Sequence, residues 1–113
     1  MTDPLVLSGE GVSITPRVAR DVIGDALTLR AQAVVIPVER LEPAFFDLRT
    51  GVAGDIVQAF VTYQLRLVVV GPLPPVAVAS RAFGAFVAEA NRGTQLRFVE
   101  TLAEAERRKP AVP

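Results

Sequence analysis

Residues 47 to 51, DLRTG, bring together a carboxylate (Asp47), a guanidinium (Arg49) and a hydroxyl (Thr50) just before a glycine (Gly51). The apolar residues that follow recur with helical spacing, so this group is expected at the start of a helix. The free backbone N–H groups of a helix N-terminus and a nearby arginine favour an anion. That anion would be either a phosphate carried by Thr50 or a bound ligand. We therefore predict a binding site here, with Thr50 as a candidate phosphorylation position.

The same residues also have a purely structural interpretation. The Thr50 hydroxyl can accept a hydrogen bond from the backbone N–H of Val52 or Ala53 and so cap the helix, which typically contributes ~1 kcal/mol. Gly51 and Gly54 could serve only to let the helix and a strand approach closely. The sequence leaves the structural and the functional interpretation open.

The composition excludes several kinds of active site. The chain of 113 residues contains no Cys and no His, which removes disulfides, thiol nucleophiles, Ser-His-Asp triads and the usual zinc sites. The one lysine, Lys109, lies near the C-terminus, and no cluster of acids indicates a metal. We therefore assign no catalytic residue, metal or cofactor, and a binding protein is favoured over an enzyme.

The charge balance and the hydropathy limit the classes of partner that this chain is expected to bind. The 12 basic and 12 acidic residues cancel, so no long-range attraction to nucleic acid or anionic lipid is expected. The N-terminal residues do not resemble a signal peptide, and no apolar run has the length of a membrane span. Half of the residues are apolar, which predicts a heavily buried sheet or a surface hidden in an oligomer. We expect a cytoplasmic homodimer that binds a protein, and neither nucleic acid nor a membrane.

Hydrophobic periodicity predicts a single α/β domain over residues 1 to 113, with a frayed tail at 110 to 113. Two short apolar runs around SGEG predict a strand pair near the edge of the sheet. A helix should follow, with Thr15 as its N-cap and Pro16 in its first turn. The complete order is β-β-α-β-α-β-α-β-α, which favours a mixed, mostly parallel sheet of about five strands packed by helices.

Parallel strands place the loops that follow them at one edge of the sheet, where ligands and partners usually bind. The loop after the buried strand at residues 33 to 38 supplies most of the polar side chains. The predicted binding residues are Glu39, Arg40, Asp47, Arg49, Thr50 and Gly51. Glu39 and Arg40 could form an ion pair that fixes this loop.

Two further pairs of residues carry structural predictions. Phe45 and Phe46 are adjacent, so one ring is expected in the core and the other at the surface. Asn91 and Gly93 suit the left-handed positions that end a helix, so the segment NRG is expected to stop the third long helix.

Three segments, FFDLRTGVAGDIVQAF, YQLRLVVVG and EANRGTQLRFVETLAEA, resemble a family of small bacterial proteins, domain-of-unknown-function family 4180. The matching pattern has two aromatics, D-L-basic-T-G-apolar-A-G-acid, and later Asn and Gly around a base. The resemblance covers roughly residues 15 to 105. Ala59 stands where the family pattern has a base, and Ala90 where it has a serine. The resemblance to this family implies no particular biochemical activity, because the family carries no assigned one.

The element order is also similar to that of STAS domains, the fold of bacterial anti-sigma-factor antagonists. That similarity implies a loop after a buried strand in which a hydroxyl residue before a glycine is phosphorylated by a partner kinase. Thr50, directly before Gly51, stands at that place. Asp47 lies further from the hydroxyl than the STAS pattern requires.

Two functional hypotheses follow. The first is a non-catalytic interaction and regulatory module that binds a protein through the loop of residues 39 to 50 and the start of the helix at 50 to 63. In this hypothesis phosphorylation of Thr50 would control binding. The second is a small-molecule or anion site at the same edge of the sheet, with Arg49 and the helix N-terminus as its anion-binding groups.

Overall fold

The computed structural model of the protein describes the backbone of residues 3 to 107 and the side chains of residues 3 to 104. Strands and helices alternate along the chain. The strands are β1 (Leu5–Val6), β2 (Ala33–Pro37), β3 (Arg66–Val70) and β4 (Leu96–Val99). The helices are α1 (Pro16–Thr28), α2 (Val52–Thr62), α3 (Pro75–Val78), α4 (Arg81–Arg92) and α5 (Leu102–Arg107). The predicted frayed tail lies outside the described residues.

The four strands form one sheet in the order β1-β2-β3-β4, and every neighbouring pair is parallel. The predicted α/β class and the parallel core of the sheet are confirmed. The described residues 3 to 107 form four strands, against about five expected, because the N-terminal runs do not form a strand pair. Leu5 and Val6 pair with β2, whereas the second run contributes only Ile14, in an isolated parallel bridge to Leu41.

One face of the sheet carries the main core. Consecutive strands in sequential order, joined by right-handed crossovers, place their connecting helices on the same face. Buried residues of α1, α2 and α4 accordingly form one cluster with alternate residues of the strands. The strand residues in this cluster are Val34, Ile36, Leu67, Val69, Leu96 and Phe98. Val35 and Val99, which alternate to the other face, are buried outside it.

Polar caps set where the helices begin. The Thr15 hydroxyl accepts from the Val18 N–H at 3.1 Å and Pro16 opens α1, as predicted. The third long helix predicted from the sequence is instead two helices, α3 and α4, because Ser80 caps a new start by accepting from the Phe83 N–H at 3.0 Å. Within the described residues, no helix combines the length and the apolar character needed to cross a bilayer.

Candidate functional site

The segment between β2 and α2 consists of three short 3₁₀ helices: Val38–Arg40, Pro43–Phe46 and Leu48–Thr50. Because β2 is parallel to its neighbours, this segment leaves the carboxyl-terminal edge of the sheet, as the sequence predicts. The loop that follows β3 leaves the same edge. A Cβ placed on Gly71 would lie 3.4 Å from the Val38 Cβ, so the two loops are in contact there.

Phe45 and Phe46 are both buried, so the expectation that one ring would lie at the surface is wrong. Their exposed fractions are 0% and 5%. In a 3₁₀ helix, successive side chains are rotated by about a third of a turn, and here both rings reach Phe83 of α4. Ring centroids lie 6.2 Å apart for Phe45 and Phe83 and 5.5 Å apart for Phe46 and Phe83. The aromatic pair therefore anchors the segment to the core.

Thr50 joins two of the 3₁₀ helices. Its hydroxyl lies 2.8 Å from the carbonyl oxygens of both Ala44 and Asp47, and it donates its one proton to these two acceptors. The same oxygen accepts from the Val52 N–H at 3.2 Å, which confirms the predicted contact with the start of α2. The residue that immediately precedes α2 is Gly51, not Thr50. Gly51 is left-handed, with φ of 80°, a conformation that costs little only for glycine.

Asp47 and Arg49 form a bidentate ion pair. The Asp47 Oδ1 accepts from the Arg49 backbone N–H at 3.1 Å and from Nε at 3.0 Å, and Oδ2 accepts from Nη2 at 3.0 Å. The side-chain hydrogen bonds from Arg49, and next its backbone hydrogen bond, hold the pKa of Asp47 below its ordinary value of 3.8. Since the Arg49 side chain is 90% exposed, this pair presents both charges at the surface.

Glu39 and Arg40 do not form the predicted ion pair. The Arg40 guanidinium instead donates to backbone carbonyls of the N-terminal loop: Val12 at 2.9 Å, Ser8 at 2.8 Å and Glu10 at 3.1 Å. Three carbonyl acceptors in one loop satisfy more of the donors of Arg40 than one exposed carboxylate would. Arg40 therefore ties the N-terminal loop to the segment after β2.

The glycines of SGEG make room for this contact. A Cβ on Gly11, whose φ is 138°, would lie 2.8 Å from the Arg40 Cζ. A Cβ on Gly9 would lie 2.7 Å from the Glu39 Oε2. These glycines lie over the side chains of residues 39 and 40, which explains why the segment is not the turn of a strand pair.

The segment after β2 presents exposed polar side chains at the carboxyl-terminal edge of the sheet. Over residues 3 to 104, whose side chains the structure describes, no group of three or more acidic side chains could hold a metal ion. No polar or charged residue is buried in that same range. The predicted residues Glu39, Asp47, Arg49, Thr50 and Gly51 share the carboxyl-terminal edge of the sheet.

Sequence reasoning missed the role of Asn91. Its side-chain Oδ1 accepts from the Phe98 backbone N–H at 2.8 Å, and its Nδ2 donates to the Phe98 carbonyl at 3.2 Å. Gly93 is extended, with φ of −101° and ψ of −166°, and Asn91 lies within α4. The prediction of left-handed positions is therefore wrong at both residues, although α4 does end within the segment NRG. No local pattern in the sequence signals this contact, because it depends on β4 lying at the edge of the sheet.

A separate groove of about 360 Å³ lies between α2 and α4, beside the start of β4. It is therefore at the opposite end of the sheet from the predicted site. Its lining residues are Val57, Val61, Phe86, Glu89, Ala90, Gly93, Thr94, Gln95 and Leu96.

These features define a small α/β domain with a four-stranded parallel sheet, its crossover helices on one face, and an anchored polar segment after β2. The chain belongs to the family described as Domain of unknown function (DUF4180), whose model matches residues 4–108. No curated protein and no solved structure shows significant similarity to the chain. The similarity to STAS domains stays a prediction from the sequence.

Proposed function

We propose that this protein is a cytoplasmic, non-catalytic interaction module that binds a protein partner through residues 39 to 50 and the first turn of α2. The observation that supports it most is the combination of two buried anchors with an exposed polar surface. Phe45 and Phe46 hold the segment against the core, whereas Glu39, Arg49 and Thr50 are exposed. A preorganised surface of this kind binds without first paying the entropy of ordering a loop.

The partner surface is expected to be polar and to carry both signs of charge. Glu39 and Asp47 present carboxylates, and Arg49 presents a guanidinium beside them. Contacts of this type contribute to orientation and association rate more than to affinity. We also expect the protein to form a homodimer, on the ground of its apolar composition and zero net charge.

We further propose that phosphorylation of Thr50 controls this interaction. A partner kinase would transfer the γ-phosphoryl group of ATP to the Thr50 oxygen, and the hydroxyl proton would leave. The resulting ester oxygen cannot donate to the carbonyls of Ala44 and Asp47, so the bond between the two 3₁₀ helices would be lost. About two negative charges would be added close to Asp47, and Arg49 would then have a second anion to pair with.

The alternative, a small-molecule or anion site at the same edge, ranks second. Its main cation, Arg49, already makes two side-chain hydrogen bonds to Asp47. An anion would have to compete with that carboxylate for the same donors. The N-terminus of α2 remains the feature that favours this alternative.

Capture from the lysate of the native host, followed by mass spectrometry, tests the proposal. Wild type should retain a specific protein that the double variant Glu39→Ala/Arg49→Ala loses. Thr50→Glu should weaken capture, whereas Thr62→Ala, an exposed threonine at the other end of α2, should not. Phosphate on Thr50 in protein purified from its host would support the regulatory part.

Identical captured proteins for wild type and the double variant would contradict the interaction surface. Absence of phosphate on Thr50 under all growth conditions, together with unchanged capture by Thr50→Glu, would contradict phosphorylation control. A ligand-dependent rise in melting temperature that Arg49→Ala abolishes would favour the small-molecule alternative instead.

A further inference from the structure

Strand β4 lies at the edge of the sheet, because it pairs with β3 only. The Gln95 carbonyl accepts from the Leu67 N–H of β3, and the Val99 carbonyl accepts from the N–H of Gly71, directly after β3, at 2.9 Å each. Peptide groups alternate in direction along a strand, so the N–H and C=O of Phe98, between them, point away from β3. An edge strand with such groups free is a template for pairing with another chain.

The side chain of Asn91 occupies the position that a further strand would take. Its carboxamide offers one acceptor and one donor in the same plane, as a backbone peptide group does. It uses both on the two outward-facing groups of Phe98, at 2.8 Å and 3.2 Å. Asn91 lies in the last turn of α4, so the helix that covers one face of β4 also supplies the group that closes its edge.

We propose that Asn91 is a built-in block on the β4 edge, and that its removal allows two copies of this chain to pair edge to edge through Phe98. The inference is independent of the proposed partner-binding function.

A second copy fits this edge by symmetry. In an antiparallel pair related by a two-fold axis, Phe98 of one copy lies opposite Phe98 of the other. Two such residues exchange both of their hydrogen bonds, which are the same two that Asn91 satisfies in the single chain. In this register Arg97 lies opposite Val99 of the second copy, so no like charges face each other. The other edge strand, β1, has only two residues and offers a shorter ladder.

The test measures the oligomeric state of Asn91→Ala over a wide concentration range by sedimentation velocity. The matched control is Arg92→Ala, which removes an exposed neighbour that forms an ion pair with Glu89 of the same helix at 3.2 Å. Wild type and the control should have the same mass. Asn91→Ala should form a species of twice that mass, whose population increases with concentration.

Hydrogen exchange of the Phe98 amide gives a second measurement. This amide should be protected in wild type. In dilute Asn91→Ala it should exchange roughly tenfold or more faster, and it should regain protection as the larger species forms. Asn91→Asp retains the acceptor for the Phe98 N–H, loses the donor to the Phe98 carbonyl, and adds a charge that repels a second copy. Its Phe98 amide should therefore be less protected than in wild type but more protected than in dilute Asn91→Ala, and the variant should show no added association.

Several results would overturn the proposal. One is rapid exchange of the Phe98 amide in wild type. Another is an Asn91→Ala protein that keeps the wild-type mass at every concentration while its Phe98 amide exchanges freely. If Asn91→Ala does not fold, complete loss of Phe98 amide protection in folded Asn91→Asp would also overturn the proposal.

Discussion

Thr50 and Asn91 are polar residues at opposite ends of helices, and each bonds to backbone groups of a neighbouring segment. Thr50 is exposed and joins two 3₁₀ helices within its own loop, reaching no further than Ala44. Asn91 is half-buried and reaches Phe98, in a separate strand. The first residue orders a surface, and the second completes the sheet.

The difference bears on which of the two regions is suited to the phosphorylation control proposed above. Breaking the bonds of Thr50 rearranges an exposed loop whose backbone groups can then bond to water. Breaking those of Asn91 leaves two half-buried backbone groups of β4 without partners, which costs more. A modification that acts on surface contacts while sparing the fold is therefore expected at Thr50 rather than at Asn91.

The largest expected effect comes from removing the anchor of the Thr50 region. Phe45→Ala should destabilise the protein by about 3–5 kcal/mol, because a fully buried ring is lost from the cluster around Phe83. Urea denaturation monitored by circular dichroism measures this. Phe86→Ala, at a half-buried ring in the same cluster, is the control and should cost less. Equal losses for the two variants would show that Phe45 is not a principal anchor.

A direct test of the comparison sets Asn91→Ala beside Thr50→Ala. The first should lower the free energy of unfolding by about 1–3 kcal/mol, since it leaves an N–H and a C=O without partners. The second should lower it by about 0.5–1 kcal/mol, as expected for an exposed hydroxyl near a helix start. Both values come from urea denaturation at low protein concentration, where association of Asn91→Ala does not contribute. The reverse order would break the distinction between the two regions.

Local patterns were sufficient for much of the fold. Alternation of apolar strands with amphipathic helices predicts the α/β class, and Thr15 and Pro16 mark the start of α1 correctly. The position of Asp47, Arg49 and Thr50 after a buried strand was also readable. Each of these features depends on residues within a few positions of one another.

Three of the errors share one physical cause, which is a partner that local patterns do not reveal. The split between α3 and α4 is a different case, since the Ser80 cap that sets it is local. Arg40 donates to carbonyls about 30 residues earlier in the chain, so the predicted ion pair with the adjacent Glu39 does not form. Phe45 and Phe46 are both buried because Phe83 lies over them. The role of Asn91 depends on β4 being an edge strand, and strand order is not encoded in local periodicity.

The smallest expected effect concerns the exposed ion pair beside Thr50. Arg49→Ala should leave stability at neutral pH almost unchanged, because ion pairs at the protein surface are screened by solvent. Its signature should lie in the titration of Asp47. The pKa of this carboxyl is lowered in the folded protein, so the pair stabilises the fold above pH 3.8 and the contribution disappears as the pH falls through the lowered pKa.

In Arg49→Ala the pKa of Asp47 should return toward 3.8, because the side-chain and backbone hydrogen bonds from Arg49 are its main causes of lowering and the first of them is lost. NMR titration of the carboxyl carbon measures this shift. Arg92→Ala, which removes the other exposed ion pair described, should leave the Asp47 titration unchanged. The same Asp47 pKa in wild type and Arg49→Ala would mean that the guanidinium does not rest on the carboxylate in solution. It would then be available to an anion at the α2 N-terminus, and the small-molecule alternative would gain the cation it now lacks.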